Sequence, residues 1–226
     1  MIDSPLNVVK SLVPSLVNCR ILDVGSGEGS FARQLANAGA SVMGIDPNPE
    51  AVVKSEALVP DGRFSVGYAE DLPFADSSFD MVVFVNALHH VPAPVMETAL
   101  IEASRVLDAC GFLVVIEPLP TGNFFEALRL VEDETEVRLA AQAALKKIVS
   151  EGRLREIQAL NYVRREIFDS AARFLERVIA VDPNREAAVR KAGSGIVAAI
   201  NNAAVKLPND RLAFDQPIKV DVLARV

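Results

Sequence analysis

The sequence predicts an α/β protein built on a parallel, doubly wound sheet, and three observations carry the prediction. Strand-like and helix-like segments alternate five times through the first half of the chain, the pattern of parallel strands joined by helical crossovers. Two of the strand candidates, Asp80 to Val85 and Phe112 to Glu117, are continuous apolar runs, as strands covered on both faces require. A glycine-rich turn, Gly25-Ser-Gly-Glu-Gly29, joins a buried strand to an amphipathic helix. Half of the 226 residues are hydrophobic and 23% are charged, so the chain has material for a core and length for one domain, or one with a large insertion.

Taken in order, Ser4 and Pro5 signal the start of a helix in which Leu6, Val9, Leu12 and Val13 recur at helical spacing, and Pro14 keeps it short. Arg20 to Val24 reads as the buried strand before the glycine turn, and Phe31 through Leu35 to Ala38 as the helix after it. Ser41 to Ile45 is the second strand, ended by Asp46-Pro-Asn-Pro49. A helix through Val52 and Val53 to Leu58 follows, then the turn Pro60-Asp-Gly62 and a third strand, Arg63 to Gly67. A helix around Met96 to Leu107 separates the fourth and fifth strands.

Beyond Pro118 the texture changes to long helical patterns. Asn123 with Glu126 has the spacing of a capping box. Val137, Ala140, Ala141, Ala144 and Ile148 make one apolar face, and Glu134 with Arg138 is a favourable i,i+4 pair. Gly152 ends this stretch. Leu160 to Ile167 reads as a strand, Asp169 as the cap of a helix through Leu175 and Ile179, and Asp182-Pro183 as the close of one helix and the start of another. Gly193-Ser-Gly195 falls inside a helical pattern and reads as a kink or close-packing point. Ile218 to Val226 alternates apolar with mostly polar residues, as a half-buried antiparallel strand does.

The formal net charge is −7, spread as 15 acidic and 6 basic side chains in residues 1–119 against 15 and 17 in residues 120–226. That balance opposes general affinity for nucleic acid. No apolar run approaches the ~20 residues that span a bilayer, and the first residues lack a basic then apolar leader, so a soluble cytoplasmic protein without a membrane partner is expected. Cys19 and Cys110 make neither a disulfide framework nor a metal cluster, and no His, Asp or Glu cluster has metal-ligand spacing.

The glycine turn is where chemistry is expected. Glycines 25, 27 and 29 let the backbone approach a ligand without β-carbons in the way. Asp46 lies 21 residues after Gly25, at the end of the next strand, where a carboxylate accepts both hydroxyls of a ribose. A dinucleotide turn needs a glycine at position 30, which is Ser30, and Asp23 and Glu28 place carboxylates where a pyrophosphate needs positive potential. An adenosine ligand bearing a cation, S-adenosylmethionine, suits this acidic turn. A nicotinamide-dependent oxidoreductase does not.

The sequence resembles the class I S-adenosylmethionine-dependent methyltransferases, in particular the small-molecule group that includes the ubiquinone and menaquinone C-methyltransferases. Five stretches carry the resemblance: Ile21-Leu-Asp-Val-Gly-Ser-Gly-Glu-Gly29, Gly44-Ile-Asp-Pro-Asn-Pro49, Ala69-Glu-Asp-Leu-Pro-Phe74, Ser78-Phe-Asp-Met-Val-Val83, and Arg105-Val-Leu107 with Gly111. It implies a seven-stranded Rossmann-like sheet of five parallel strands and a C-terminal antiparallel pair, carrying a helical lid insertion. Residues 1–226 would then be a single domain with a cofactor core at 18–118, a mostly helical lid over the substrate at 119–205 and a returning strand at 218–226.

The resemblance further implies that Asp23, Gly25, Ser26, Gly27 and Gly29 form the methionine side of the cofactor site. Asp46 and Pro47 fall at the ribose, Ala69 and Glu70 at the adenine, and Asn86 near the methionine end. Two positions depart from the family: Tyr68 replaces an aspartate that accepts from the adenine amino group, and Asp108-Ala-Cys-Gly111 replaces Lys-Pro-Gly-Gly.

His89, His90 and Glu117 are the candidate general bases, each with a bland alternative: loop histidines packed beside the cofactor and a satisfied strand-end carboxylate. A dedicated base is not obligatory, since a sulfonium is already an activated donor. The arginines of the second half, Arg129, Arg138 and Arg164 foremost, either form a pocket for an anionic substrate or a solvated helical surface, the reading preferred here. The expected activity is methyl transfer to a small molecule, yielding S-adenosylhomocysteine without a metal; the alternative is a non-catalytic binding or scaffold protein. Monomer and homodimer are both open.

Overall fold

The computed structural model describes residues 3–182, 184–193 and 195–226. The first helix, α1 (Pro5–Leu12), starts as its sequence dictates: Ser4 Oγ accepts from the Asn7 N–H at 3.4 Å and Pro5 fills the first turn, where its missing N–H is no loss. Strand and helix then alternate as β1 (Arg20–Val24), α2 (Ser30–Asn37), β2 (Ser41–Asp46), α3 (Pro49–Leu58), β3 (Arg63–Val66), β4 (Phe79–Val85), α4 (Met96–Val106) and β5 (Leu107–Pro118). Asn48 caps α3, its side-chain oxygen accepting from the Glu50 N–H at 2.9 Å and the Ala51 N–H at 3.5 Å. The remaining elements are α5 (Asn123–Leu128), α6 (Thr135–Ser150), β6 (Leu154–Phe168), α7 (Ala171–Val181), α8 (Arg185–Ala192), α9 (Gly195–Ala203), β7 (Val205–Lys206) and β8 (Leu212–Arg225).

The sheet runs in the order β3-β2-β1-β4-β5-β8-β6. The first five strands pair in parallel, with Val24 of β1 opposite Ile45 of β2 on one side and Phe84 of β4 on the other. The C-terminal strands are antiparallel. β7, of two residues, adds an eighth strand by pairing with the start of β8, Val205 opposite Ala213. From β1 the chain builds outward to β2 and β3, then returns to the other side of β1 for β4 and β5. The crevice of such a sheet opens at the carboxyl ends of the strands, where that reversal occurs.

Two compact units divide the chain. The first gathers everything up to Glu117 with Ala140–Asn161 and Lys219–Val226; the second gathers Pro118–Leu139 and Tyr162–Ile218. The core of the first joins Leu22, Ile45, Val82, Phe84, Leu100, Leu113 and Val115 of the sheet and its crossovers to Ala141, Leu145 and Ile148 of α6. The core of the second is aromatic. Phe174 meets Phe124 at 5.3 Å, Phe168 at 5.4 Å and Phe214 at 4.6 Å between ring centroids.

Several expectations are corrected. β6 begins at Leu154 rather than Leu160, because residues 155–159 are exposed on both faces and so show no apolar alternation. β8 begins at Leu212 and runs through Pro217, where the sequence suggests a break. β5 includes residues 108–111 as a bulge: Phe79 pairs with Leu107 but Met81 with Phe112. Asn123 is not a cap; α5 is entered from Gly122, and the Asn123 side chain donates to Ala203 O at 3.0 Å and accepts from the Asp215 N–H at 2.6 Å. Ser170, not Asp169, caps α7, accepting from the Arg173 N–H at 3.3 Å. On α6 the buried stripe is Ala141, Ala144, Leu145 and Ile148, while Val137 is exposed and Arg138 is buried. Gly193 ends α8 at φ +63°, and a Cβ there would meet nothing within 4 Å, so conformation rather than close packing requires the glycine. Pro183 and Ser194 lie outside the described residues.

Candidate functional site

A cavity of about 600 Å³ opens at the carboxyl ends of β1, β2, β3 and β4, wholly within the first unit and in the size range of sites for small organic ligands. Its wall takes Val24 and Gly25 from β1 and the turn, and Ile45, Asp46, Pro47 and Asn48 from the end of β2. Gly67, Tyr68, Ala69 and Glu70 follow β3, and Phe84, Asn86, Ala87, His90, Val91 and Pro92 come from the end of β4 and the segment beyond it. Of the residues singled out by sequence, it brings together Gly25, Asp46, Pro47, Ala69, Glu70, Asn86 and His90.

The glycine turn is built from left-handed residues, with φ of +72° at Gly25, +53° at Gly27 and +82° at Gly29. A Cβ on Gly25 would stand 2.6 Å from Ala87 Cβ, so the close approach of the turn to the segment after β4 needs glycine. Four of its N–H groups are already donated inside the protein: Gly25 and Ser26 to Ile45 O at 2.8 and 3.1 Å, Gly29 to Ser26 O at 3.0 Å, and Gly27 to Asp46 Oδ2 at 2.8 Å. A phosphate cradle needs such groups free and aimed at the ligand. Here they hold the turn onto β2 instead.

Asp46 is thereby fixed from both sides, Oδ2 accepting from Gly27 and Oδ1 from the Asn48 N–H at 2.9 Å, with further lone pairs on each oxygen. Asp23 lies behind the turn, 2% exposed. The Ala32 N–H donates to it, but among the described residues its Oδ2 has no partner, and neither has the buried Ser26 Oγ. Burial, reinforced by the charge of Asp46, outweighs the Ala32 bond and pushes the Asp23 carboxyl up to about 7. Glu28, whose charge the sequence reading assigned to the turn's potential, is exposed and paired with Lys54 at 2.6 Å rather than lining the cavity.

After β4 the chain makes a left-handed step at Asn86, φ +51°, whose N–H donates to Ile116 O at 2.9 Å. The next two N–H groups, of Ala87 and Leu88, both donate to Glu117 Oε1 at 2.9 Å, and Glu117 Oε2 meets His89 Nδ1. Glu117 and His89 are buried against each other; neither lines the cavity. The His90 ring packs on that of His89 at 4.1 Å and does line it. Tyr68, 59% exposed, offers its ring at the rim. Asn48, quoted only as part of the Gly44 to Pro49 stretch, and the apolar Val91 and Pro92 carry no site role in the sequence reading. Asn48 carries a local signal as a helix cap; Val91 and Pro92 carry none.

Of the second-half arginines, Arg129, Arg153, Arg155, Arg165, Arg173, Arg177 and Arg190 are exposed, as the solvated-surface reading expects, and two are buried. Arg138 and Arg185 are buried in the second unit, Arg138 bonded to Glu134 at 2.6 Å, and Arg185 to Glu134 at 2.7 Å and Glu132 at 2.6 Å. Arg129 pairs with Glu126 and Asp133, and Arg164 pairs with Glu166 and lies over the Phe124 ring. Among the described residues no three His, Cys, Asp or Glu gather as metal ligands, and no helix is long and apolar enough to cross a membrane.

Residues 22–115 match a family model described as a methyltransferase domain. An uncharacterized methyltransferase of Synechocystis sp. is 33% identical over 98 residues, which cover 43% of this chain and 46% of that protein. A demethylmenaquinone methyltransferase of Renibacterium salmoninarum is 36% identical over 110 residues, covering 49% and 46%. The chain thus spans less than half the length of these curated relatives. Among solved structures, the YcgJ protein of Bacillus subtilis superposes with a TM-score of 0.66 over 98% of both chains at 22% identity, a likeness of fold. Residues 22–115, the stretch that matches this methyltransferase-domain model, are also the stretch that builds the glycine turn, Asp46 and the cavity wall.

Proposed function

We propose that the first unit binds S-adenosylmethionine in this cavity and that the protein transfers its methyl group to a small-molecule acceptor. The observation that carries the reading is the coupling of Asp46 to the glycine turn. A carboxylate clamped by the Gly27 and Asn48 N–H groups, at the rim of a 600 Å³ cavity, is preorganised to accept two vicinal hydroxyls. The same bonds use up the N–H groups that a pyrophosphate would need, which disfavours a dinucleotide.

The cofactor fits the acceptors at the rim: Asp46 keeps lone pairs on both carboxylate oxygens for the ribose hydroxyls, while Asp23 and Ser26 lie outside the cavity's lining. Ala69, Glu70 and the Tyr68 ring line the part of the wall proposed for the adenine. When bound, S-adenosylmethionine supplies a methyl group already activated by its sulfonium, so the protein's tasks are alignment and exclusion of water. His90 is the one sequence-candidate base that lines the cavity. Glu117, with Oε1 shared by two N–H groups and Oε2 on His89, acts by holding the segment that carries Asn86, Ala87 and His90.

Titration calorimetry with S-adenosylmethionine, S-adenosylhomocysteine and NAD tests the reading. The two sulfur nucleosides bind and NAD does not. Asp46→Ala weakens binding about 30-fold or more, the loss of at least one charge-assisted hydrogen bond and part of a second at ~1.5–3 kcal/mol each. Absence of binding by both nucleosides overturns the proposal; binding without transfer to any of a panel of small acceptors supports a non-catalytic role instead.

A further inference from the structure

A second cavity, of about 440 Å³, lies elsewhere in the first unit, lined by Ile101, Ser104 and Arg105 of α4, Ile148 of α6, Arg153 and Leu154 at the start of β6, and Arg225 at the end of β8. Four separate segments bring three guanidinium groups and a hydroxyl to one concave surface with no carboxylate in its lining. Two of the three are paired with carboxylates outside that lining, Arg105 with Glu102 and Asp76 and Arg153 with Glu151.

The three arginines are not equivalent. Arg105 is spent: all five of its N–H groups are bonded, to Glu102, Asp76, Phe74 O and Leu72 O at 2.8–2.9 Å. It contributes a fixed wall. Among the described residues Arg153 has its Nε alone engaged, 3.3 Å from Glu151. Arg225 is partly buried and its Nη1 donates to neutral oxygens, Ser77 Oγ at 3.2 Å and Leu107 O at 3.0 Å; among the described residues no carboxylate pairs with it and its Nε and Nη2 have no acceptor. Its remaining N–H donors are therefore open to an anion from outside the chain.

The geometry points to a binding site for a small phosphate-bearing ligand, held by Arg225, Arg153 and the Ser104 hydroxyl. Two guanidinium groups and a hydroxyl brought to one cavity lining by different elements suit a tetrahedral oxyanion, whereas one fork already satisfies a carboxylate. Ile101, Ile148 and Leu154 add an apolar wall for an organic body. The net negative charge opposes nucleic acid and anionic membranes as the source of the phosphate, leaving inorganic phosphate or a small phosphomonoester.

The test is titration calorimetry of the whole chain with inorganic phosphate and with phenyl phosphate at constant ionic strength. Wild type binds, and phenyl phosphate binding more tightly than inorganic phosphate marks the ligand as a phosphomonoester, equal affinity as the free ion. Arg225→Gln weakens binding about tenfold or more, and Arg153→Gln about threefold or more. Arg173→Gln, an exposed arginine of the second unit paired with Glu176, changes nothing. Arg153 is exposed, so its variant reads the site even where Arg225→Gln lowers the melting point. No binding at about 10 mM of either probe, or binding that both site variants leave unchanged, overturns the proposal.

Discussion

Glu134 in the second unit and Asp23 in the first are both carboxylates all but removed from water, and the chain treats them oppositely. Glu134 receives Arg138 on one oxygen and Arg185 on the other, and Arg138 reaches on to Leu119 O at 3.1 Å and Gln216 Oε1 at 3.3 Å. Among the described residues Asp23 receives one backbone N–H and keeps an oxygen bare, beside a Ser26 hydroxyl that is equally bare. Leaving such a group unpaired costs about 1–3 kcal/mol. A saturated network fixes structure and recruits nothing. The contrast separates a region whose buried carboxylate is internal bracing from one whose buried carboxyl is left to hold its proton.

The sharpest way to break the contrast is to open the saturated network. Arg138→Met takes one of its two arginines from the buried Glu134, and the loss of stability is expected at about 3–5 kcal/mol by urea unfolding. A second substitution, Glu134→Gln, relieves the uncompensated charge and recovers part of that loss. A loss below about 1 kcal/mol for Arg138→Met would mean that water reaches the network, and the distinction between the units would fall.

Asp23 makes the opposite prediction, and the sign is worked from its raised carboxyl. The folded protein keeps the Asp23 proton up to about pH 7, whereas the unfolded chain loses it near pH 4. Between those values the native state binds the extra proton, so this group's contribution to stability falls as pH rises across the window. Asp23→Asn removes the dependence. The variant is expected to match wild type near pH 4 and to exceed it above pH 7 by on the order of 1–4 kcal/mol, read from urea midpoints at a series of pH values. A constant offset across that range would show that the carboxyl is ionised throughout.

The two regions also differ in how far they could be read beforehand. Asp46 was legible because its role demands a fixed distance along the chain from a glycine turn, and β1, α2 and β2 have unbroken periodicity between them. Arg138 was not, because an i,i+4 pair with Glu134 looks the same on a surface as in an interior; burial depends on Arg185, 51 residues from Glu134, and on Gln216, 78 residues from Arg138. The same holds for Glu117. Its strand-end position was plain, but its bonds to His89, Ala87 and Leu88 span 28 to 30 residues, and nothing local announces them. The edge strand β6 escaped at Leu154 because exposed residues carry no alternation to detect.

The smaller predictions ask whether position or charge makes the cavity. Glu117→Gln keeps an acceptor for the Ala87 and Leu88 N–H groups but removes the charge facing His89, and is expected to cost about 1–2 kcal/mol of stability in urea. Its effect on S-adenosylhomocysteine affinity then measures how far the segment after β4 must be held still for binding. Glu28→Gln is expected to do least. Its carboxylate is 62% exposed and already paired with Lys54, so water and salt screen it from any ligand in the cavity. Affinity for S-adenosylmethionine and the urea midpoint should both stay within measurement error of wild type. If binding falls with Glu28→Gln as steeply as with Asp46→Ala, the acidity of the turn as a whole attracts the cation.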